Sequence, residues 1–383
     1  MNMKGLGVLG FVLCIGCSGT TSPATDTGGT EPDSAAETMS DTTVDTGAPD
    51  TTEEDIHLPT EPYTITAFDN IRINSTGEVN VRDVVAEVDL AGASFEQVTM
   101  RVELDSTCYP FESWTQPPPG HNWPADCDAF DRNFEFTLDD PQEEGDPPAF
   151  ELVRAITPFG GPMSFEVDLT DLANAHPGQH RIRAHISTWS DGAGQVSGSA
   201  GGWNVTTHID VVPGTPPRNV LAAIPLVNDF HGKQDPFTTS LTLPEGTTST
   251  RLEYRVTGHG GGDPDPYPTC IGPAEEFCQR THIVYADGVD IDQFLAWRSD
   301  CENLCTLETH PNGGFEYCVE NPCGSVQSVK APRANWCPGD ITPPFVWTPE
   351  QWTTAGPHTF SYSIPEQGNG SWRVSATAYA YGD

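Results

Sequence analysis

The sequence predicts an all-β protein built from two consecutive sandwich domains. Short stretches of alternating apolar and polar residues recur along the chain, and this period of two is typical of strands with one buried face. The 37 glycines and 35 prolines of the 383-residue chain lie largely between these stretches, where they favour turns. No stretch shows a convincing amphipathic helical pattern. Residues 62–383 are too many for one small core, so two domains are expected.

Residues 1–17 predict an export signal. Lys4 is the only charged residue there, and the apolar run from Leu6 to Ile15 is too short to span a bilayer. The segment ends at Gly16-Cys17, which resembles a lipoprotein cleavage site with Cys17 as the acylated first residue, although Cys14 stands where such sites usually carry leucine. The expectation is an outer-membrane or cell-surface lipoprotein. The alternative is an ordinary cleaved signal and a secreted protein.

Residues 18–61 predict a disordered tether. This segment holds 11 acidic residues and no Lys or Arg, together with many Thr, Ser, Pro and Gly residues. It has too few apolar side chains to form a core, and its charges repel one another. A tether directly after a lipid-bearing cysteine would hold a folded domain away from a membrane surface.

The net charge and the cysteines of the chain limit the classes of ligand and site that are expected. A formal net charge of −38 disfavours binding to nucleic acid and to anionic lipid, whereas neutral sugars remain possible ligands. Nine cysteines follow the signal, and in an exported chain disulfides are their expected state. His259 and His282 do not belong to a spaced set of three or four ligands. No metal and no cofactor are therefore expected.

The first domain is predicted at residues 62–212 and the second at 218–383, joined by a proline-rich linker at 213–217. Alternation predicts strands in the first domain around Val79–Val81, Val98–Leu104, Phe134–Leu138, Phe165–Leu169 and Ile182–Ile186. It predicts strands in the second at Val220–Val227, Phe237–Leu243, Leu252–Thr257, His282–Ala286 and Trp372–Tyr381. Short strands at regular spacing favour a β-sandwich in each half.

Three motifs carry a resemblance to a known family. Thr257-Gly258-His259-Gly260 precedes a cysteine-bounded segment, Cys270 to Cys278, that contains Ala274-Glu275-Glu276-Phe277 and continues to Arg280-Thr281-His282. Arg333-Ala334-Asn335-Trp336-Cys337-Pro338-Gly339 follows. In order and spacing these motifs resemble the peptide-N-glycosidase F family, bacterial amidases that remove N-linked glycans from asparagine. This chain differs in one extra Glu before the aromatic residue and in Asn335, where the family has Gly. The resemblance implies two eight-stranded jelly rolls side by side, with a cleft at their interface.

The resemblance also implies catalytic residues. Cys127-Asp128-Ala129-Phe130-Asp131-Arg132 matches a family motif whose second Asp is the principal catalytic acid, which makes Asp131 that residue. Glu276 matches a further family acid through its spacing to Phe277 and Cys278, and it would help to place or deprotonate water. Without the resemblance, Asp131 would be interpreted as a turn acceptor. Glu275 is interpreted as the solvated member of the Glu pair.

Other positions are expected to bind the substrate. Arg132 and Arg333 would hold the sugar and developing charge, Trp189 and Trp336 would offer ring platforms, and His259 would face the cleft. Ser187 takes the place of a second family acid, which is the main departure. Asp191 is a candidate substitute from the following loop. The resemblance further implies the disulfides Cys108–Cys127, Cys270–Cys278 and Cys301–Cys337. The segment between Cys301 and Cys337 contains an insertion that the family lacks, and within it Cys305 is expected to pair with Cys318 or Cys323.

The first functional expectation is therefore an exported, membrane-tethered hydrolase that cleaves the asparagine–GlcNAc amide bond of N-glycoproteins. Its partners would be an N-glycan or glycopeptide substrate and a membrane reached only through a lipid anchor. A monomer that binds no nucleic acid is expected. The alternative is a catalytically weak or inactive surface lipoprotein that binds glycans or proteins in the same cleft, because Ser187 lacks a carboxylate.

Overall fold

The computed structural model describes residues 58–76, 78–108, 126–190, 201–231, 235–261, 269–310 and 314–383. The predicted signal, most of the predicted tether, Cys17 and Asp191 lie outside the described residues. Strands dominate what is described, and they form antiparallel sheets. The all-β prediction with two jelly rolls is confirmed. None of the described helices is long and apolar enough to cross a membrane.

The first sandwich is formed by two facing sheets. One has the order β2-β1-β9-β4-β7 and the other the order β3-β8-β5-β6. The strands are β1 (Tyr63–Thr76), β2 (Val79–Val81), β3 (Asp83–Leu90), β4 (Phe95–Ser106), β5 (Asn133–Leu138), β6 (Phe150–Ile156), β7 (Met163–Asp168), β8 (Gly178–Ile186) and β9 (Gly202–Pro213). A short helix, α1 (Thr170–Ala175), follows β7. The short β2 gives the first sheet a fifth strand beside the expected four.

Alternation explains why these strands pack as they do. In β8 the residues His180, Ile182, Ala184 and Ile186 are buried, and each residue between them is half-buried. Their side chains meet a core that includes Phe134, Met100 and Trp203, all fully buried. Burying one face of each sheet removes apolar surface from water and holds the two sheets together.

The second sandwich repeats the plan with the sheet orders β10-β19-β12-β17 and β11-β18-β13-β14. Its strands are β10 (Val220–Phe230), β11 (Phe237–Leu243), β12 (Ser249–His259), β13 (Thr281–Ala286), β14 (Val289–Leu295), β17 (Phe345–Trp347), β18 (Gly356–Ser363) and β19 (Ser371–Tyr381). The segment between Cys301 and Cys337 adds a small hairpin, β15 (Leu307–Thr309) with β16 (Glu316–Cys318), and the helix α2 (Val326–Lys330).

Buried ion pairs join the two sandwiches. Glu151 on β6 accepts from Arg154 on the same strand, and Arg255 and Ser375 of the second sandwich also donate to it. Although burial opposes ionisation, the surrounding guanidinium groups lower the pKa of Glu151 to about 2. Arg154 also donates to the carbonyl of Arg373 at 2.7 Å. These bonds fix the orientation of β12, whose last residues lead into the candidate site.

Candidate active site

Asp131 and Glu276 come together at one arginine. The Arg333 Nη2 atom lies 3.8 Å from Asp131 Oδ2, and the Nη1 atom lies 3.4 Å from Glu276 Oε1. The Arg333 side chain is 1% exposed, whereas those of Asp131 and Glu276 are 20% and 27% exposed. Asp131 comes from the first sandwich, and the other two come from the second. The arrangement therefore presents two partly accessible carboxyl groups above a buried cation at the domain boundary.

The segment that carries Asp131 is held from both ends. A disulfide between Cys108 and Cys127 closes the preceding loop, with the Cα atoms 4.8 Å apart. The buried Asp128 accepts two hydrogen bonds from Arg132 Nε and one from its Nη2. The Arg132 amide donates to Thr157 Oγ1 at 2.9 Å, and that hydroxyl donates to the Phe130 carbonyl. Such contacts restrict the backbone and orient the Asp131 carboxyl group.

The segment that carries Glu276 is a short 3₁₀ turn, Glu275–Phe277, closed by the disulfide Cys270–Cys278. Glu275 is 3% exposed and pairs with Arg280 through bonds of 2.7 and 3.0 Å. Its Oε1 atom also accepts from Trp372 Nε1 at 2.9 Å. The interpretation of Glu275 as a solvated loop acid is wrong, because its charge is matched by a buried arginine. Glu275 anchors the turn, and its neighbour Glu276 is left at the cleft.

Arg333 is positioned by the insertion and by aromatic rings. Its Nη2 atom donates to the Ser328 carbonyl at 2.9 Å and to the Ser328 hydroxyl at 3.1 Å. The guanidinium carbon lies 4.8 Å from the Phe277 ring centroid and 4.6 Å from that of Trp336, within range of cation–π attraction. Asn335 adopts φ +64°, a left-handed conformation that Asn tolerates well. Asn can therefore replace the glycine that the family has at this position.

Burial raises the pKa values of both cleft acids. For Asp131, Arg333 and Arg132 oppose the effect of burial, and the pKa remains above its ordinary value. For Glu276, burial is opposed by Arg333 but reinforced by the negative charge of Asp131, and the pKa rises to about 7. The charge of Asp131 raises the pKa of Glu276, so the two carboxyl groups titrate as a coupled pair. With a pKa of about 7, Glu276 still holds a proton part of the time near neutral pH.

The predictions that Arg132 and Trp336 contact the sugar directly are wrong. Arg132 is 6% exposed and is taken up by the buried Asp128, so its guanidinium is not open to a sugar. Trp336 is 2% exposed, its Nε1 donates to the Gly258 carbonyl at 2.8 Å, and its ring supports Arg333. A buried ring offers no open face to a ligand. Both residues shape the site from behind its surface.

Trp189 and Ser187 follow the end of β8 and are half-buried. The Trp189 ring centroid lies 6.4 Å from that of Phe130, directly beside the Asp131 segment. The Ser187 amide donates to the Asn133 carbonyl at 3.0 Å, which places its backbone next to the start of β5. A platform role for Trp189 stays a prediction. Ser187 brings no charge to this edge of the site.

His259 is a neutral hydrogen-bonding group at the end of β12. Burial, with the positive charges of Arg154, Arg373 and Arg333, lowers its pKa to about 3. Its Nε2 atom lies 2.7 Å from the hydroxyl of the buried Thr257, which already accepts from Arg154 Nη1 at 3.1 Å. We assign the Thr257 hydroxyl as the donor to Nε2, which places the imidazole proton on Nδ1. His259 therefore offers a neutral N–H donor, and its ring stacks on Trp336 at 5.6 Å.

All three disulfides expected from the resemblance are present, and a fourth joins Cys305 to Cys318. Of the described cysteines, Cys323 is the one left as a thiol. The sequence left open whether Cys318 or Cys323 pairs with Cys305, and the structure answers that question.

Several contributors to the site escaped sequence reasoning. Asp128, Thr257 and Ser328 hold Arg132, His259 and Arg333 respectively. The spacing Asp128-x-x-x-Arg132 was a visible signal for an ion pair. Nothing in the sequence connects Ser328 with Arg333, because their contact depends on how the insertion folds back.

Comparison with protein families gives a match in the second domain. Residues 227–379 match the family model described as peptide-N-glycosidase F, C-terminal. The match contains β12, the Glu276 turn and Arg333. A comparison with curated protein sequences finds no match.

Solved structures extend the likeness to both sandwiches. PNGase F, a glycosylasparaginase from Flavobacterium meningosepticum, superposes with a TM-score of 0.60 at 18% identity, over 84% of this chain and 96% of the other. PNGF-II superposes with a TM-score of 0.61 at 20% identity, over 84% of this chain. This chain spans about two thirds of the PNGF-II chain, since the match covers 66% of it. The two-domain fold is thus shared with both proteins.

Proposed function

We propose that this chain, which belongs to the peptide-N-glycosidase F family, hydrolyses the amide bond between asparagine and GlcNAc in N-glycoproteins. The observation that carries the proposal is the meeting of Asp131 and Glu276 at Arg333. Two acids with separated proton affinities are what amide hydrolysis needs, because one group must activate water and another must protonate the leaving nitrogen.

Asp131 is the group proposed to activate water. As a carboxylate it accepts a proton from the water that attacks the side-chain carbonyl carbon of the glycosylated asparagine. Arg333 keeps the Asp131 oxygen within 3.8 Å of a fixed positive charge. This ion pair orients the carboxylate, and it limits the cost of leaving that charge in a partly buried site.

Glu276 is proposed to supply the proton for the leaving nitrogen. The sequence had suggested that Glu276 places or deprotonates water, but a pKa of about 7 favours a group that still carries a proton near neutral pH. Proton transfer lets the carbon–nitrogen bond break and release a glycosylamine, while the protein product carries aspartate. The neutral His259 N–H is suited to hold a substrate oxygen without competing for that proton.

Release of glycans tests this proposal. The purified protein is incubated with a denatured N-glycoprotein and with a glycopeptide, and conversion of asparagine to aspartate is followed by mass spectrometry. Asp131→Asn should lower the rate by at least about 100-fold, because a positioned acid or base contributes that much or more. Asp126→Asn, a change at an exposed acid five residues earlier, is the matched control. Full activity in Asp131→Asn would exclude the assigned role.

A second candidate function rests on Ser187. If the missing carboxylate abolishes turnover, the cleft would bind glycans without cleaving them. In that case a glycopeptide would bind and be recovered intact, and Asp131→Asn would alter affinity alone. Calorimetric titration beside the release assay distinguishes the two functions.

The proposal includes export and a lipid anchor at Cys17. The support is the short apolar segment that ends at Gly16-Cys17 and the acidic segment after it. Metabolic labelling with a fatty acid, in cells that express the full chain, should mark the wild type and not Cys17→Ala. Equal labelling of both would reject the anchor.

A further inference from the structure

Three sulfur atoms lie together where the two sandwiches meet. The Sγ atoms of Cys108, Cys127 and Cys323 are all within 4.8 Å of one another. The first two form a disulfide of the first sandwich, and Cys323 is a thiol from the insertion of the second. Cys108, Cys127 and Ala129 form a small buried cluster, and the partly buried Cys323 packs against it.

Hydrogen bonds of the backbone hold Cys323 close to the Cys108–Cys127 disulfide. The Cys323 amide donates to the Phe159 carbonyl at 2.9 Å, and the Phe159 amide donates to Asn321 Oδ1 at 3.0 Å. Gly160 follows Phe159 and adopts φ +70°, a backbone conformation that favours glycine. A Cβ atom there would be 2.5 Å from Cys323 Sγ and 3.0 Å from Cys108 Sγ. The glycine thus leaves room for a sulfur from each domain on one side of the chain.

We propose that these three cysteines form an exchange site, in which the Cys323 thiol displaces Cys127 from its disulfide with Cys108. The Cys323 sulfur attacks Cys108 Sγ, the Cys108–Cys127 bond breaks, and a Cys108–Cys323 bond forms. The proton lost by Cys323 passes to the departing Cys127 sulfur. One disulfide and one thiol exist before and after the step, so no oxidant or reductant is required. Cys108 is the attacked sulfur because it shares the Gly160 contact with Cys323.

The exchange would change how the domains are connected. The Cys108–Cys127 bridge lies within the first sandwich, whereas a Cys108–Cys323 bridge joins the two sandwiches covalently. It would also free Cys127, which stands four residues before Asp131. The segment that presents Asp131 would then lose its disulfide and keep the Asp128–Arg132 pair and the hydrogen bonds of Thr157.

The surroundings make the exchange slow at neutral pH. Burial raises the pKa of the Cys323 thiol, and the negative charge of Asp128 raises it further. Arg132 pairs with Asp128 and reduces that repulsion. Only the thiolate attacks a disulfide, so below the thiol pKa the rate should rise about tenfold for each added pH unit.

The test measures the two pairings in the folded full chain. Protein incubated at several pH values is quenched with acid, alkylated and digested without reduction, and the linked peptides are identified by mass spectrometry. The expected result is a Cys108–Cys323 peptide that accumulates at high pH in the wild type and is missing from Cys323→Ser. No such peptide at any pH, or a Cys127–Cys323 peptide in its place, would overturn the proposal.

Disulfide scrambling in unfolded molecules is recognised by its products. Wild type exchanged in concentrated denaturant should also pair Cys323 with Cys270, Cys278, Cys301 or Cys337. Exchange at the proposed site yields the Cys108–Cys323 pairing and leaves the other three disulfides unchanged. A native-state sample that shows the broad set of pairings counts against the site.

Discussion

The neighbouring acids Glu275 and Glu276 should respond to the same substitution in opposite directions. Glu275→Gln removes a carboxylate that Arg280 contacts at 2.7 Å, and Arg280 is 0% exposed. Removing one partner of a buried ion pair costs about 3–5 kcal/mol, because the remaining charge stays in a poorly solvated place. The free energy of unfolding should fall by this amount, and the melting temperature by roughly 6–20 °C if the second sandwich unfolds as one unit.

Glu276→Gln should stabilise the protein at alkaline pH. The pKa of Glu276 rises from 4.5 to about 7 on folding, so the folded state holds the ionised form at a cost. That cost is zero below about pH 4.5 and complete above about pH 7, where it amounts to at most about 3 kcal/mol. Glutamine does not ionise, so this cost is absent from the variant. At about pH 8 it should therefore unfold at a higher denaturant concentration than the wild type, and at about pH 4 at the same one.

Chemical denaturation of the three proteins at both pH values, followed by circular dichroism, measures these differences. Glycan release from each variant that folds shows whether Glu276 is needed for turnover. The reasoning is refuted if Glu275→Gln is as stable as the wild type, or if Glu276→Gln is destabilised equally at both pH values. Either result would contradict the role assigned to the substituted acid.

Three further predictions follow from the same contacts. Asp131→Asn should lower the pKa of Glu276 from about 7, because the charge of Asp131 helps to raise it. Infrared titration of the carboxyl groups would show the shift. An unchanged pKa would mean that the two carboxyl groups do not interact. Thr257→Val should leave His259 Nε2 without its donor and reduce turnover about tenfold, while nitrogen NMR of the imidazole should report a changed tautomer that Thr257→Ser does not produce. Glu151→Gln should cost about 3–5 kcal/mol at neutral pH, and its difference from the wild type should shrink as the pH falls from 4.5 to about 2, where the wild-type carboxylate also takes up a proton. A stability difference independent of pH would contradict this last account.

Alternation along the sequence predicted ten of the described strands and missed others. It located β4 and β8, whose buried and more accessible residues largely alternate, and β12, which alternates in its first half. It missed β6, because all seven of its residues are buried and the pattern has no period. β6 lies beneath the second sandwich and contributes Glu151 and Arg154 to the interface. A strand covered on both faces cannot be recognised from periodicity alone.

The candidate site was predictable only where a local motif carried it. The resemblance located Asp131, Glu276 and Arg333, and the structure brings these three residues together. The distinction between solvated and buried acids failed at Glu275, because its contacts with Arg280, just before β13, and with Trp372, on β19, form only in the folded protein. Burial of a charged residue depends on tertiary contacts, which spacing along the chain does not report.

The distance between the two catalytic candidates is a property of the domain interface. Glu276 and Arg333 belong to one sandwich, and the Glu276 carbonyl accepts from the Ala334 amide at 2.8 Å, so these two side chains keep their relation within that domain. Asp131 belongs to the other sandwich. Its place relative to Arg333 is therefore set by contacts such as the buried cluster around Glu151 and the attachment of the insertion at Phe159. Small rotations of one sandwich would separate Asp131 from Arg333 and leave each sandwich intact. Catalytic geometry should thus be more sensitive to interface substitutions than stability is, because the reacting groups need closer alignment than folding does.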